Sequence, residues 1–213
     1  MLEQSGMFAT IEEEVGEMKL LCVGDSLTYG YDVPVDESWI GRISRQTDIH
    51  IHNGGICGDT TEGMLYRLQH FPYDSYDAFF LMGGTNDILL DISLARIEQN
   101  MAAMMDMLIR FKRPVIIGLP LLTRPESASY GWQVAADVEK HNQSITKFRQ
   151  WLKKEAGVRK YSVVDFYQAI QHGEKDRGFS LYADGVHPTA AGYGVIADAV
   201  LPVVKKIIAA IGV

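Results

Sequence analysis

The chain has 213 residues, 47% of them hydrophobic and 22% charged, a globular balance that disfavours disorder, collagen-like and coiled-coil architectures and suits one domain with a single sizeable core. Acidic side chains number 27 against 20 basic ones, giving a formal charge of −7, so there is no electrostatic footprint for a nucleic-acid backbone and no nucleic-acid partner is expected. The longest nearly uncharged stretches, around Val115 to Leu122 and Val195 to Val204, fall short of the roughly 20 apolar residues that a membrane-spanning helix needs.

In chain order, residues 1–17 read as an N-terminal extension or edge segment. They lack the basic and apolar regions of a secretory signal, so a cytoplasmic location is expected. Lys19 to Val23 is a short apolar run stopped by Gly24, and it reads as a first strand. Similar runs at Ile49 to His52, Ala78 to Met82, Val115 to Leu119 and Tyr161 to Asp165 give four more. Between the third and fourth, Leu94, Ile97, Met101, Met104, Met105 and Leu108 step by threes and fours, as one buried helix face requires. Ile145, Phe148 and Leu152 repeat that spacing, and a last helix is expected after Pro188 with Ile196, Val200, Val203, Val204 and Ile207 on its buried side. Strands alternating with helices imply right-handed crossovers and a parallel sheet covered on both faces, a three-layer α/β/α sandwich.

Such sheets bind ligands at the carboxyl ends of their strands. There the sequence places Gly24-Asp25-Ser26-Leu27, Asn53 to Thr60, and Gly83-Gly84-Thr85-Asn86-Asp87, while Asp184-Gly185-Val186-His187-Pro188 precedes the last helix. A serine in a tight strand-to-helix turn suits a nucleophile, but its hydroxyl is inert without a base. His187 supplies an imidazole for Ser26, and Asp184, three residues earlier, is the natural group to orient it. The G-x-S-x-G elbow of the α/β-hydrolases is absent, because Thr28 follows Leu27 where its last glycine would stand. Acyl transfer also needs donors for a developing oxyanion. The Ser26 and Gly58 backbone N–H groups and the Asn86 side-chain amide are the candidates.

These blocks resemble those of the SGNH hydrolases, also called GDSL lipases or esterases. Gly24-Asp25-Ser26-Leu27 is similar to the family's first block, Gly58 to its second, Gly84-Thr85-Asn86-Asp87 to its third and Asp184-Gly185-Val186-His187 to its last. Gly54 and Gly55 compete for the second block, and Asn53 with Gly58-Asp59-Thr60 favours Gly58. The resemblance implies an SGNH hydrolase domain over residues 18–213, a flavodoxin-like five-stranded parallel sheet and metal-free, cofactor-free serine catalysis on ester or thioester substrates. It further implies Ser26 as nucleophile, Asp184 and His187 as its partners, and Gly58 and Asn86 in the oxyanion hole.

Other residues have plainer readings. Asp25 and Asp87 are expected to brace their loops, and the methionines from Met101 to Met107 to fill the helix core. His50 and His52 share a strand face without an obvious further metal ligand, Cys57 is expected to line the pocket, and both cysteines, Cys22 and Cys57, to be free thiols. The segment Thr123 to Ala136 has little periodicity and reads as a wall over the site. Leu122, just before it after the fourth strand, and Tyr130 and Trp132 within it are the substrate-binding candidates together with Ile56, and Tyr29 and Tyr31 are further wall residues. The expected activity is hydrolysis of short-chain acyl esters through an acyl-enzyme, on a small-molecule substrate, in a chain that is a monomer or a homo-oligomer. A thioesterase or lysophospholipase is the enzyme alternative, and a flavodoxin-like FMN or phosphate binding module the other one.

Overall fold

The computed structural model describes residues 18–211, and the segment 1–17, read above as an extension or edge, lies outside the described residues. Among the described residues, five strands, β1 (Lys19–Gly24), β2 (His50–Gly55), β3 (Ala78–Met82), β4 (Val115–Leu119) and β5 (Ser162–Asp165), alternate with eight α-helices. The helices are α1 (Ser26–Tyr29), α2 (Trp39–Ser44), α3 (Thr61–Gln69), α4 (Thr85–Leu89), α5 (Leu94–Ile109), α6 (Val138–Arg159), α7 (Phe166–Arg177) and α8 (Ala190–Ile211). The sheet is parallel throughout, in the order β2-β1-β3-β4-β5, which is the flavodoxin-like order.

The burial pattern explains why the sequence reads this way. β3 and β4 are central, and every one of their residues is buried, so they appear as unbroken apolar runs. The edge strands β2 and β5 keep partly exposed residues and carry polar ones such as His50, Asn53 and Ser162, which blunts the free edges. Alternate residues of β1 feed two separate cores. Leu20 and Cys22 pack with Trp39, Phe166, Tyr193 and Ile196 from α2, α7 and α8, whereas Leu21 and Val23 pack with Met64, Met101, Met104 and Phe148 from α3, α5 and α6. Two cores on opposite faces of one sheet are the three layers expected.

The long helices fall where the spacing placed them. In α5, Ile97, Met101, Met104, Met105 and Leu108 are buried, and the Ser93 side chain caps the first turn by accepting from the Arg96 N–H. α8 begins two residues after Pro188, where Thr189 Oγ1 accepts from the Gly192 N–H at 3.1 Å. Among the described residues, no helix is long and apolar enough to cross a membrane. The shorter helices α1 to α4, and α7, are not legible from periodicity. β2 also runs three residues further than expected, through Asn53-Gly54-Gly55, because its ladder with β1 continues to Gly24. A side chain at Gly55 would collide with the backbone of Tyr29, so this close approach of strand to helix requires glycine.

Candidate active site

The first strand-end turn is set by local chemistry. Asp25 caps α1, its Oδ1 accepting from the Leu27 N–H at 2.9 Å, and the helix ends after one turn at Gly30, whose φ is +88°. A side chain at Gly24 would collide with Thr28 and the Met82 carbonyl, so glycine is needed to bring Ser26 tight against the sheet end. Ser26 is 6% exposed. Its hydroxyl donates to His187 Nε2 at 2.8 Å.

His187 stands on a loop pinned by its own backbone: the Ala183 N–H donates to the His187 carbonyl, and Tyr182 and Pro188 form an isolated bridge. Gly185 has φ +83°, and a side chain there would strike the Ser127 backbone, so only glycine allows the turn that folds Asp184 back onto His187. Asp184 Oδ1 accepts from the N–H groups of Val186 and His187 at 2.9 and 2.7 Å, and Oδ2 accepts from His187 Nδ1 at 2.7 Å. A carboxylate facing Nδ1 fixes the neutral imidazole's proton there and leaves Nε2 as the acceptor for a hydroxyl. Burial raises the Asp184 carboxyl, but the hydrogen bonds from the His187 ring and from the His187 and Val186 N–H groups outweigh it and hold the group below the usual carboxylate range. Asp184 therefore stays ionised beside the imidazole.

Ser26, Gly58, Asn86 and His187 line one cavity of about 270 Å³, together with Tyr31, Cys57, Leu89, Trp132 and Val186. Gly58 has φ +77°, and nothing lies within 4 Å of the point where a Cβ would stand, so its backbone is open to a ligand. Asn86 is held by one amide hydrogen, since its Nδ2 donates to the Asp59 carbonyl at 2.8 Å. The second amide hydrogen gives it a further donor.

Two features here were not read from the sequence. Arg67 of α3 donates twice to Asp59 Oδ2 and once each to the carbonyls of Gly54 and Gly24, so it ties the ends of β1 and β2 to the loop that carries Gly58. Trp132 donates its indole N–H to Asp184 Oδ2 at 2.8 Å. Neither arrangement has a local spacing signal: Arg67 reaches carbonyls 13 and 43 positions away, and Trp132 and Asp184 lie 52 positions apart.

The remaining expected residues divide. Asp25 and Asp87 brace loops as anticipated, and Asp87 accepts from both the N–H and the hydroxyl of Thr61. Burial pushes Asp25 up to about 6 against the lowering pull of the Leu27 N–H, and it raises Asp87 against the Thr61 bonds. Cys57 lines the cavity, and partial burial with the nearby Asp25 charge raises its thiol, which disfavours a thiolate nucleophile. His52 pairs with the Tyr76 hydroxyl at 3.0 Å, while His50 is exposed. Among the described residues, no group of three or more His, Cys, Asp and Glu side chains could hold a metal ion. Of the segment expected to wall the site, only Trp132 reaches the cavity. Leu122 lines a separate groove with Asn142, Thr146 and Lys147, and Tyr130 is 61% exposed. Ile56 and Tyr29 are also largely exposed and do not line it. The apolar wall comes from Tyr31 and Trp132, both expected there, together with Leu89 and Val186, which were not.

Comparison with known proteins converges on one family. The family model described as "GDSL-like Lipase/Acylhydrolase family" matches residues 22–195. An arylesterase of Vibrio mimicus is 34% identical over 100 residues, which make up 42% of this chain and 48% of that protein. Esterase TesA of Pseudomonas aeruginosa is 24% identical over 212 residues, covering 96% of this chain and 97% of that one. Among solved structures, a member of the lipolytic protein G-D-S-L family from Veillonella parvula superposes with a TM-score of 0.74 at 27% identity, over 89% of this chain and 99% of that chain.

Proposed function

The chain belongs to the GDSL-like lipase/acylhydrolase family, and on that premise we propose that it is a serine esterase that hydrolyses short-chain acyl esters through an acyl-enzyme. The observation that carries this reading is the continuous relay from Ser26 Oγ to His187 Nε2 and from His187 Nδ1 to Asp184 Oδ2, at 2.8 and 2.7 Å, opening on an apolar cavity. Ser26 Oγ attacks the ester carbonyl carbon as its proton passes to His187 Nε2. The carbonyl oxygen becomes an oxyanion facing the N–H groups of Ser26 and Gly58 and the free amide hydrogen of Asn86, donors whose individual loss costs about 100- to 1,000-fold in rate. The bond to the leaving oxygen then breaks, and that oxygen takes the proton from His187. Water repeats the sequence in the second half: His187 takes its proton, its oxygen attacks the acyl carbon, and collapse returns the proton to Ser26 Oγ and releases the acid. Asp184 keeps the ring oriented and favours the imidazolium formed in each half.

The acyl-length preference is argued from size. At about 270 Å³ the cavity falls below the roughly 300–1,000 Å³ range of pockets that enclose drug-sized ligands. Each added methylene contributes about 0.8 kcal/mol only while it stays buried, so kcat/KM should climb from acetate and turn over near hexanoate.

Intact-mass measurement after treatment with a fluorophosphonate probe tests the nucleophile. One adduct on Ser26 is expected, with none in Ser26→Ala; an adduct or full hydrolysis in that variant would overturn the assignment. A p-nitrophenyl ester series from acetate to palmitate, below micelle-forming concentrations, tests the length preference, and a rate still rising beyond decanoate would overturn it.

A further inference from the structure

The Asp184 carboxylate is fully partnered. Its four acceptor positions receive the Val186 and His187 N–H groups on Oδ1 and the His187 ring and Trp132 indole on Oδ2. Three of these donors come from its own turn. The fourth reaches in from 52 positions away.

The loop that delivers Trp132 rests directly on the Asp184 turn. The Arg124 N–H donates to the Gly185 carbonyl at 2.7 Å, and the Trp132 N–H donates to the Ser127 carbonyl at 3.0 Å. Gln133 Nε2 donates to Thr123 Oγ1 and Ser127 Oγ, and its Oε1 accepts from His141 Nδ1 at 2.6 Å. The indole meets the His187 ring edge to face at 5.1 Å, and both rings contact Tyr31. The same indole lines the cavity. A wall residue needs only an apolar surface, yet here a polar N–H is aimed at the oxygen that orients the base.

We infer that Trp132 is a positioning residue of the Ser26–His187–Asp184 relay as well as a wall of the cavity. The inference rests on the relay proposed above. The indole N–H fixes the carboxylate plane so that Oδ2 meets His187 Nδ1, and by sharing that oxygen it moderates the pull of Asp184 on the imidazolium. The other titratable groups bearing on the pair are Asp25, which interacts electrostatically with His187, Tyr193, which feels both Asp184 and Asp25, Cys57 near Asp25, and Tyr31 against the imidazole. An exchange at Trp132 leaves all of them in place.

Trp132→Phe keeps an aromatic wall and removes the donor. With p-nitrophenyl acetate, kcat should fall about tenfold while KM changes less than about twofold, the pattern of a lost transition-state interaction. The acid limb of kcat/KM should move upward by about half a pH unit, because Asp184 then holds the imidazolium more strongly. In an Asp184→Asn background the same exchange should cost less than about twofold, since its effect runs through that carboxylate. Wild-type kcat with an unmoved acid limb overturns the inference, and so does a kcat loss with an unmoved limb, which marks mere loosening. Should Trp132→Phe fail to fold, the indole N–H resonances of the wild-type protein decide: one must titrate with the midpoint of the acid limb, and a spectrum in which none does overturns the inference. Fluorophosphonate labelling separates this from the parent reading. A slower adduct still formed on Ser26 leaves the nucleophile standing, whereas failure of Ser26 to label in the wild type removes the relay itself.

Discussion

Replacing Arg67 should damage stability and turnover together, and the contacts allow both effects to be sized. Its guanidinium makes two bonds to Asp59 Oδ2, at 2.9 and 2.6 Å, and one each to the carbonyls of Gly54 and Gly24, at 2.9 and 3.2 Å. The Gly24 carbonyl also accepts from the Ile56 N–H, so it keeps a partner when Arg67 is lost. The Asp59 side chain, 12% exposed, pairs with no other cation among the described residues and carries most of the penalty. With net values of about 1 kcal/mol for each carbonyl bond and rather more for the stranded carboxylate, Arg67→Met should lower the unfolding free energy by roughly 2–4 kcal/mol. Arg67→Lys should cost about half as much, because one ammonium can follow Asp59 but cannot also span to both strand ends. Adding Asp59→Asn to Arg67→Met should recover part of the loss by removing the stranded charge.

The catalytic consequence follows from what the clamp holds. Asp59 adjoins Gly58, and its carbonyl orients the Asn86 amide at 2.8 Å, so a loosened loop moves two of the three proposed oxyanion donors. Displacements of about 1 Å cost up to about 100-fold in rate, and a tenfold fall in kcat is a moderate expectation within that bound. Urea unfolding at pH 7 and steady-state turnover of p-nitrophenyl acetate on the same preparations measure the two effects. A stability loss below about 0.5 kcal/mol, or an unchanged kcat in Arg67→Met, would refute the clamp.

Ser26→Ala and His187→Ala should each remove most hydrolysis, and the double variant should be scarcely worse than either, because relay members act as one unit; a double variant far below both singles would break the assignment. Asn86→Ala should lower kcat by about 100- to 1,000-fold with a smaller change in KM, whereas a pure KM effect would make Asn86 a ground-state binding residue. Asp25 gives a pH test of stability. Burial pushes its carboxyl from 3.8 up to about 6, so between those values the folded chain holds a proton that the unfolded chain has released. Its contribution is therefore present at low pH and lost as pH rises through about 6, by roughly 3 kcal/mol. Urea unfolding of wild type and Asp25→Asn at pH 4 and pH 7 isolates this group, with the variant gaining relative to wild type at the higher pH; a difference that does not change with pH would contradict it.

Much of the fold was legible because it is written in local pattern. β3 and β4 are central strands covered on both faces, so every residue is buried and each appears as an unbroken apolar run. The methionine and isoleucine spacing of α5 states its buried face directly. The proposed relay was legible for a similar reason. Asp184 and His187 lie in one turn that Gly185 makes possible, Ser26 directly follows a strand end, and all three sit where a parallel sheet presents its ligands. Short helices such as α1 and α4 escaped because a single turn is too brief to show a period.

The cavity wall was decided by tertiary structure. Leu122 and Trp132 stand ten positions apart in a segment without periodicity, and no sequence rule sends one to an outer groove and the other onto Asp184. Arg67 looks like any exposed helical arginine until the order β2-β1-β3-β4-β5 brings two strand-end carbonyls and Asp59 within reach of one guanidinium. Periodicity and turn chemistry report what each element buries and where it ends. Strand order fixes which ends become neighbours, and it depends on interactions between residues far apart in the chain, to which local pattern is blind.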